Sequence, residues 1–521
     1  MTAPRPARFV ASLLWLAAAP ALAADLSIER LFAAPDLSGP TLRSAAFSPD
    51  GRRITYLRGK ETAKDVYDLW AYDIATGRHG LLVDSARLAT SGGALSAEEE
   101  ARRERQRTSS LGGILEYDIS ADGRRILVPL GGDLYLYDLD AAASRAVRRL
   151  TSTPSYETDA RFSPRGRYVS FVRDANLHAI ELSSGREFAI TREGGGLVSY
   201  GTAEFIAQEE MGRNTGYWWA PDEQHIAFTR VDDGPVGEIE RFEIYADRVE
   251  VVKQRYPATG ARNADVQLYI ARVGGGPATR VDLGTNADIY VARVQWLPDS
   301  SAIAVQRQSR DQKTLTLLKA DARSGATRTL LEERSDTWVE ICDELTFVSD
   351  AGEFLWGSSR SGFQHLYLYD AGGRLLRAVT GGEWMVVGED RGDAVRAIRG
   401  IDRRRGLVWF MSNAASPIER QLYVTSFRRT ETPRRVSGEA GWHTVRMSAD
   451  ARYYLDTFSD SEHPPSVTLR NADGSARAVL VANRLDASHP YAPYLGSHQP
   501  SRFGTLPARD GQALHYQLTP A

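Results

Sequence analysis

The chain has 521 residues, of which 42% are hydrophobic and 25% charged, and its formal net charge is −3. Such a balance describes a folded globular protein, long enough for more than one domain or for one large repeat domain with part of another. It argues against nucleic acid as the main partner, because a phosphate-binding surface needs a basic excess.

The first residues read MTAPRPARFVASLLWLAAAPALAADL. Arg5 and Arg8 give a positive start, an apolar run follows from Phe9, and Ala-Leu-Ala at 21–23 is a small-x-small cleavage signal. This pattern predicts a secretory signal peptide over residues 1–23. The competing reading, a membrane anchor, needs about 20 apolar residues, and the run is shorter. No later segment is apolar enough to span a bilayer, so no membrane span remains once the signal is removed. Cys342 is the single cysteine, so an exported chain has no internal disulfide and its core must supply the stability. A bacterial periplasmic or secreted location fits this usage.

From Phe47 onward one phrase recurs: an apolar residue, a Ser/Ala-Pro-Asp-Gly-like turn, then a strand. It reads FSPDGRRI (47–54), ISADGRRI (119–126), FSPRGRYV (162–169), WAPDEQHI (219–226), WLPDSSAI (296–303), FVSDAGEF (347–354), IDRRRGLVW (401–409) and MSADARYY (447–454). A second phrase usually follows, as in DLWAYDIATGR (68–78), DLYLYDLD (133–140), NLHAIELSSGR (176–186), QLYIARVGGG (267–276), HLYLYDAGGR (365–374) and QLYVTSF (421–427). Proline fixes φ and Asp-Gly supplies a tight turn between strands. Eight such units predict an all-β chain, an eight-bladed β-propeller over 45–492, whose radial closure leaves few open edges. A β-sandwich or an open array of sheets is the competing architecture.

LSAEEEARRERQR (95–107) interrupts the β pattern. Ser96 and Glu99 make a capping box, and Glu98–Arg102 and Glu99–Arg103 are i,i+4 pairs of favourable order. A short polar helix projecting from the first or second blade is expected there; a solvated helix without a task is the plainer reading. Beyond residue 485 the repeat stops. Asp510-Gly511 reads as a turn and Ala513–Leu518 as a strand. A lone hairpin is not stable in water, so 493–521 reads as the start of a further domain.

AQEEMGRNTGYWWAPDEQHIAF (207–228) sets two carboxylates, Glu209 and Glu210, beside Tyr217, Trp218 and Trp219. Most Glu-Glu pairs are solvated surface, and the tryptophans alone read as blade packing. Here the pair precedes aromatics that must be largely buried, which puts it near a blade wall. Two adjacent carboxylates repel unless a cation compensates. An ammonium group, with three donors and one positive charge, is the natural ligand, and a nearby arginine would complete the balance.

QEEMGRNTGYWWAPDEQHIAFTRVDDGPV (208–236), with FLWGSSRSGFQHLYLYD (354–370) and GDLYLYDL (132–139), resembles the dipeptidyl-peptidase IV proteins of the prolyl oligopeptidase class, most closely the bacterial members. The resemblance runs over residues 24–521. It implies an eight-bladed propeller capping an α/β-hydrolase domain, with residues 24–44 a first piece of the hydrolase and 493–521 its resumption as a first hairpin. It assigns Glu209 and Glu210 to the grip on a peptide's free α-amine, and an arginine of the inserted helix to the same site. Arg107 matches best, with Arg103 and Arg105 open. The intact enzyme would release X-Pro or X-Ala dipeptides from peptide N-termini through an acyl-enzyme, using no metal or cofactor. Relatives of this kind are often homodimers.

The chain departs from the family at its end. The hydrolase needs a Gly-x-Ser-x-Gly elbow, then Asp, then His, and none is present. GSSRSG (357–362) is not an elbow, and His225, His365 and His515 sit in or beside strands, where a packed or hydrogen-bonded imidazole is expected. The chain alone is therefore expected to lack turnover, its partners being peptides with a free N-terminus. The alternative function is a non-catalytic periplasmic propeller that binds peptide N-termini or a protein partner; a purely structural propeller would not need the glutamate pair.

Overall fold

The computed structural model describes residues 25–88, 103, 104, 107–388 and 396–520. The expected signal peptide lies outside these residues, as do Arg105 and most of the expected helix with its Ser96–Glu99 capping box.

Two compact units divide the chain. One comprises Thr41–Asp460 and Ser466–Ala482; the other holds the described residues up to Pro40, Ser461–Pro465 and those from Asn483 onward. The first unit is the expected eight-bladed β-propeller. Its blades are contiguous antiparallel sheets spanning 43–83, 118–149, 158–189, 198–280, 289–334, 346–378, 398–435 and 442–481, numbered here 1 to 8.

Every recurring turn phrase joins the first strand of a blade to its second. In blade 1 the Gly51 N–H donates to the Ser48 carbonyl at 2.8 Å, and the Ser48 hydroxyl donates to Asp50 at 2.5 Å. Blade 2 repeats this with Gly123, Ser120 and Asp122. Gly51 and Gly123 sit at φ of 68° and 70°, which the turn requires. Where the phrase lacks glycine, the replacing residue is forced into the same region: Glu223, Ser300 and Ala451 have φ of 60°, 61° and 53°. Glu223 makes use of the position. Its carboxylate is buried and accepts from the Ser163 hydroxyl and from the Arg165 N–H at 2.6 Å, tying blade 4 to the turn of blade 3.

The core is distributed between blades. Eight apolar clusters each fill the space between two neighbouring blades. The last packs Leu455, Val467 and Leu469 of blade 8 on Ile54, Tyr56 and Tyr72 of blade 1, so side-chain burial closes the ring. One hairpin leaves the pattern: Glu238–Ile244 pairs with Val249–Arg255 as a separate two-stranded sheet inserted within blade 4.

In the second unit, helix α1 (Ile28–Phe32) is capped by the Ser27 hydroxyl, which accepts from the Arg30 N–H at 3.2 Å. The strands Arg502–Pro507 and Ala513–Leu518 form the hairpin expected around Asp510-Gly511. Asn483 donates to the Ser38 carbonyl at 2.9 Å and lies close under Gly39, where a Cβ would collide with it. Among the described residues no helix is long and apolar enough to cross a membrane.

Candidate functional site

The inner strand of blade 4 is split, and the split creates the site. Val198–Tyr200 and Tyr217–Trp219 both pair with the same edge of His225–Asp232: Tyr200 lies opposite Arg230 and Tyr217 opposite Phe228. Between them, opposite Thr229, residues 201–216 leave the sheet and return. Thr229 closes the neck of this excursion. Its N–H donates to Gly216 at 2.8 Å, its carbonyl accepts from Gly201 at 2.9 Å, and its buried hydroxyl bonds the Thr202 carbonyl at 2.6 Å. The two arms pass so closely that a Cβ on Gly216 would meet the Thr202 backbone at 2.1 Å.

Glu209 and Glu210 ride on this excursion. Helix α2 (Phe205–Glu209) is one short turn ended by Glu210. Ala207 is buried beneath it, and Met211 packs on Tyr290 and Ala292 of blade 5. Both glutamates are exposed. Glu209, with Gln208, Thr202 and Asn214, lines a cavity of about 1470 Å³ whose other walls come from blades 1 to 4 and from Arg446 of blade 8.

The aromatic triplet stands behind the pair as cement. Tyr217 is fully buried; its hydroxyl donates to the Asp159 carbonyl and lies 3.2 Å from the Ser170 hydroxyl of blade 3. The Trp219 indole donates to Ser170 Oγ at 2.8 Å, and its ring stacks on Tyr168 at 5.4 Å. The Trp218 carbonyl accepts from the Trp296 indole of blade 5 at 2.8 Å. A like-charge pair beside bulky aromatics thus follows from the topology: the excursion carries the charge, and the strand that receives it back locks three blades together.

The cavity wall is rich in charge. Asp118, Asp159, Asp174, Glu116 and Glu209 face it, against Arg161, Arg173 and Arg446. Burial pushes the Asp118 carboxyl above its usual range, opposed by the Phe162 and Ile119 N–H groups. Burial likewise raises Asp159, which pairs with Arg161 and accepts from the Thr215 hydroxyl at 2.7 Å. Asp159 holds φ at 52°, an unusual conformation for a non-glycine residue, at a bulge in the inner strand of blade 3. It therefore reaches across to steady the returning arm at Thr215 and Tyr217.

The inserted segment supplies Arg103 and Arg107 to the described residues. Arg107 is exposed at φ of 54° and is not among the cavity-lining residues. Arg103 lines a small cavity of about 30 Å³ with Glu116, Pro129 and Tyr156, residues that also line the large one. His365 is packed as expected, its ring nitrogens 3.1 Å from Thr380 Oγ1 and 2.9 Å from the Gly382 carbonyl, whereas His515 is exposed on its hairpin strand and not packed. Among the described residues no cluster of His, Cys, Asp and Glu could hold a metal ion.

Fold and site together define an eight-bladed β-propeller whose fourth blade presents two carboxylates from a break in its inner strand. The family model described as the dipeptidyl peptidase IV (DPP IV) N-terminal region matches residues 120–465, and the chain belongs to that family. Relatives include the Emericella nidulans protein named "Probable dipeptidyl peptidase 4", 29% identical over 331 residues, covering 58% of this chain and 41% of the relative. Dipeptidyl peptidase 4 of Trichophyton rubrum is 24% identical over 324 residues, covering 58% and 40%. The chain thus spans about two fifths of the length of these curated relatives. The crystal structure of Porphyromonas gingivalis dipeptidyl peptidase 4 superposes with a TM-score of 0.74 at 23% identity, covering 91% of this chain and 64% of that one.

Sequence reading missed the neck at Thr229 and the tie from Asp159. Thr229 lies within an ordinary strand pattern, and Asp159 carries no motif; both are identified only by long-range pairing.

Proposed function

We propose that this chain is the substrate-gating propeller of a dipeptidyl-peptidase IV-like serine exopeptidase. In this reading Glu209 and Glu210 bind the free α-amine of a peptide, and the intact protein releases X-Pro or X-Ala dipeptides. The observation that carries it is the placement of Glu209 on a backbone excursion at the wall of a cavity of about 1470 Å³, room enough for a peptide end. An amine fixed at one wall leaves only the bond two residues in within reach of a nucleophile. A peptide without a free amine would leave the carboxylates unpaired and be rejected. An arginine of the inserted segment completes the site, and the position of Arg103 beside Glu116 favours it over Arg107.

Residues 24–44 and 493–521 belong, in this reading, to an α/β-hydrolase domain. The hairpin supports it: Leu506, Leu514, Tyr516 and Leu518 share one face by register, and all are exposed. So are Ile28, Leu31 and Phe32 of α1. Apolar faces of this kind call for a covering layer. Residues 1–23 serve as the export signal to the bacterial periplasm or beyond, and assembly into homodimers belongs to the intact protein. Reading the gene past the codon for Ala521 tests the proposal. An open frame with a Gly-x-Ser-x-Gly elbow followed by Asp and His is expected; an immediate stop codon would leave a non-catalytic binder of peptide N-termini.

A further inference from the structure

Between Glu204 and Arg213 the chain makes a closed segment that contains both candidate clamp residues. Its ends are joined by an ion pair of 2.7 Å between Arg213 Nη2 and Glu204 Oε2, and the two residues are only 5% and 7% exposed. Arg213 is tied further. Its backbone N–H donates to the Ala207 carbonyl at 2.8 Å, its Nη1 donates to the Thr215 carbonyl at 2.8 Å, and its guanidinium lies 5.9 Å from the Trp218 ring centre. Glu204 occupies the N-cap position of α2, yet its side chain caps nothing and turns to Arg213 instead.

A five-residue helix has too few internal bonds to hold its own shape. Its last residue and its cap, Glu209 and Glu210, carry like charges that push apart. Apolar packing of Ala207 and Met211 fixes the underside of the segment but not the span between its ends. A buried ion pair adds little net stability over an apolar pair of the same shape, so its value here lies in geometry.

We propose that Glu204 and Arg213 are positioning residues that hold the Glu209/Glu210 carboxylates in the spacing required to bind an ammonium group. This inference rests on the amine-clamp reading above. The test uses the full chain and alanyl-proline as probe, with affinities from calorimetry and folding from circular dichroism and thermal melts. Arg213→Met is expected to weaken alanyl-proline binding by at least about tenfold. Arg213→Lys, which keeps the charge, should recover most of that loss. Recovery of affinity in Arg213→Lys without a matching change in melting midpoint is a result that a merely structural role would not produce. Should Arg213→Met fail to fold, Glu204→Gln, which removes the charge that closes the segment, is expected to weaken binding in the same direction. A folded Arg213→Met or Glu204→Gln chain with wild-type affinity would overturn the proposal while leaving the clamp intact. Unchanged affinity in Glu209→Gln/Glu210→Gln alone would instead remove the clamp reading and this inference with it.

Discussion

Replacing Tyr217 by phenylalanine isolates one polar contact at the heart of the blade 3–blade 4 junction. The ring stays in its cluster with Val172, Leu177 and Phe228, so packing is preserved. What disappears is a hydroxyl, fully shielded from water, that donates to the Asp159 carbonyl. The Ser170 hydroxyl, which donates to the Tyr217 hydroxyl at 3.2 Å, keeps its bond from the Trp219 indole, so the principal loss is the donor to one partly buried carbonyl. That costs about 1–3 kcal/mol. Urea unfolding followed by tryptophan fluorescence should show a lower midpoint with an unchanged slope. Tyr245→Phe provides the control: its hydroxyl bonds Glu243 at 2.8 Å on the exposed hairpin, and its removal should change stability by less than about 0.5 kcal/mol. The pH dependence adds a second readout. Burial pushes the Tyr217 phenol well above its ordinary value of 10. A raised folded-state pKa means that the protonated phenol stabilises the fold fully below pH 10, and that this contribution declines as pH rises beyond it. The gap between wild type and Tyr217→Phe should therefore narrow in alkali. Equal midpoints for Tyr217→Phe and Tyr245→Phe at neutral pH would refute the reasoning.

Two further stability changes follow from backbone and charge. Ala175 holds φ at 60° in the turn of blade 3 and is only partly buried, so Ala175→Gly should raise stability by about 1 kcal/mol in the same urea assay; Ala451→Gly should gain less, because its buried methyl is lost. Lys60 bridges Asp68 at 2.7 Å and Asp84 at 2.6 Å, and Lys60→Met should cost about 2 kcal/mol at neutral pH. The Lys60 hydrogen bond holds the Asp84 carboxyl below its usual range, so the stabilisation is present above the unfolded carboxyl pKa and is lost as pH falls through the folded one. Acid unfolding curves of wild type and Lys60→Met should accordingly converge at low pH.

The propeller was legible because its signal is local. Ser48, Asp50 and Gly51 bond to one another within a single turn, and the same serine-to-aspartate bond recurs in blades 2 and 8. Even the exceptions were consistent, since Glu223, Ser300 and Ala451 adopt the glycine conformation where glycine is absent. The third strands of blades 5 and 8, Thr314–Asp321 and Ser466–Asn471, carry no Leu-Tyr-x-Tyr-Asp phrase and were identified only by pairing. The hairpin of 238–255 was hidden because its exposed Phe242, Ile244, Val249 and Val251 imitate a core strand while facing water. At the site, the glutamate pair and the aromatic triplet were readable as residues, but the break that separates them was not. It depends on Thr229 receiving both Gly201 and Gly216, contacts made across 13 to 28 residues. The Glu204–Arg213 pair was equally silent, because nothing local requires those two charges to meet.

The most direct measurement compares alanyl-proline with its N-acetylated form, by calorimetry, on the wild-type chain and on Glu209→Gln/Glu210→Gln. The wild-type chain should bind the free-amine dipeptide and not the acetylated one, and the double substitution should abolish the difference. Equal binding of both peptides by the wild type, or undiminished binding by the Gln variant, would contradict the amine clamp.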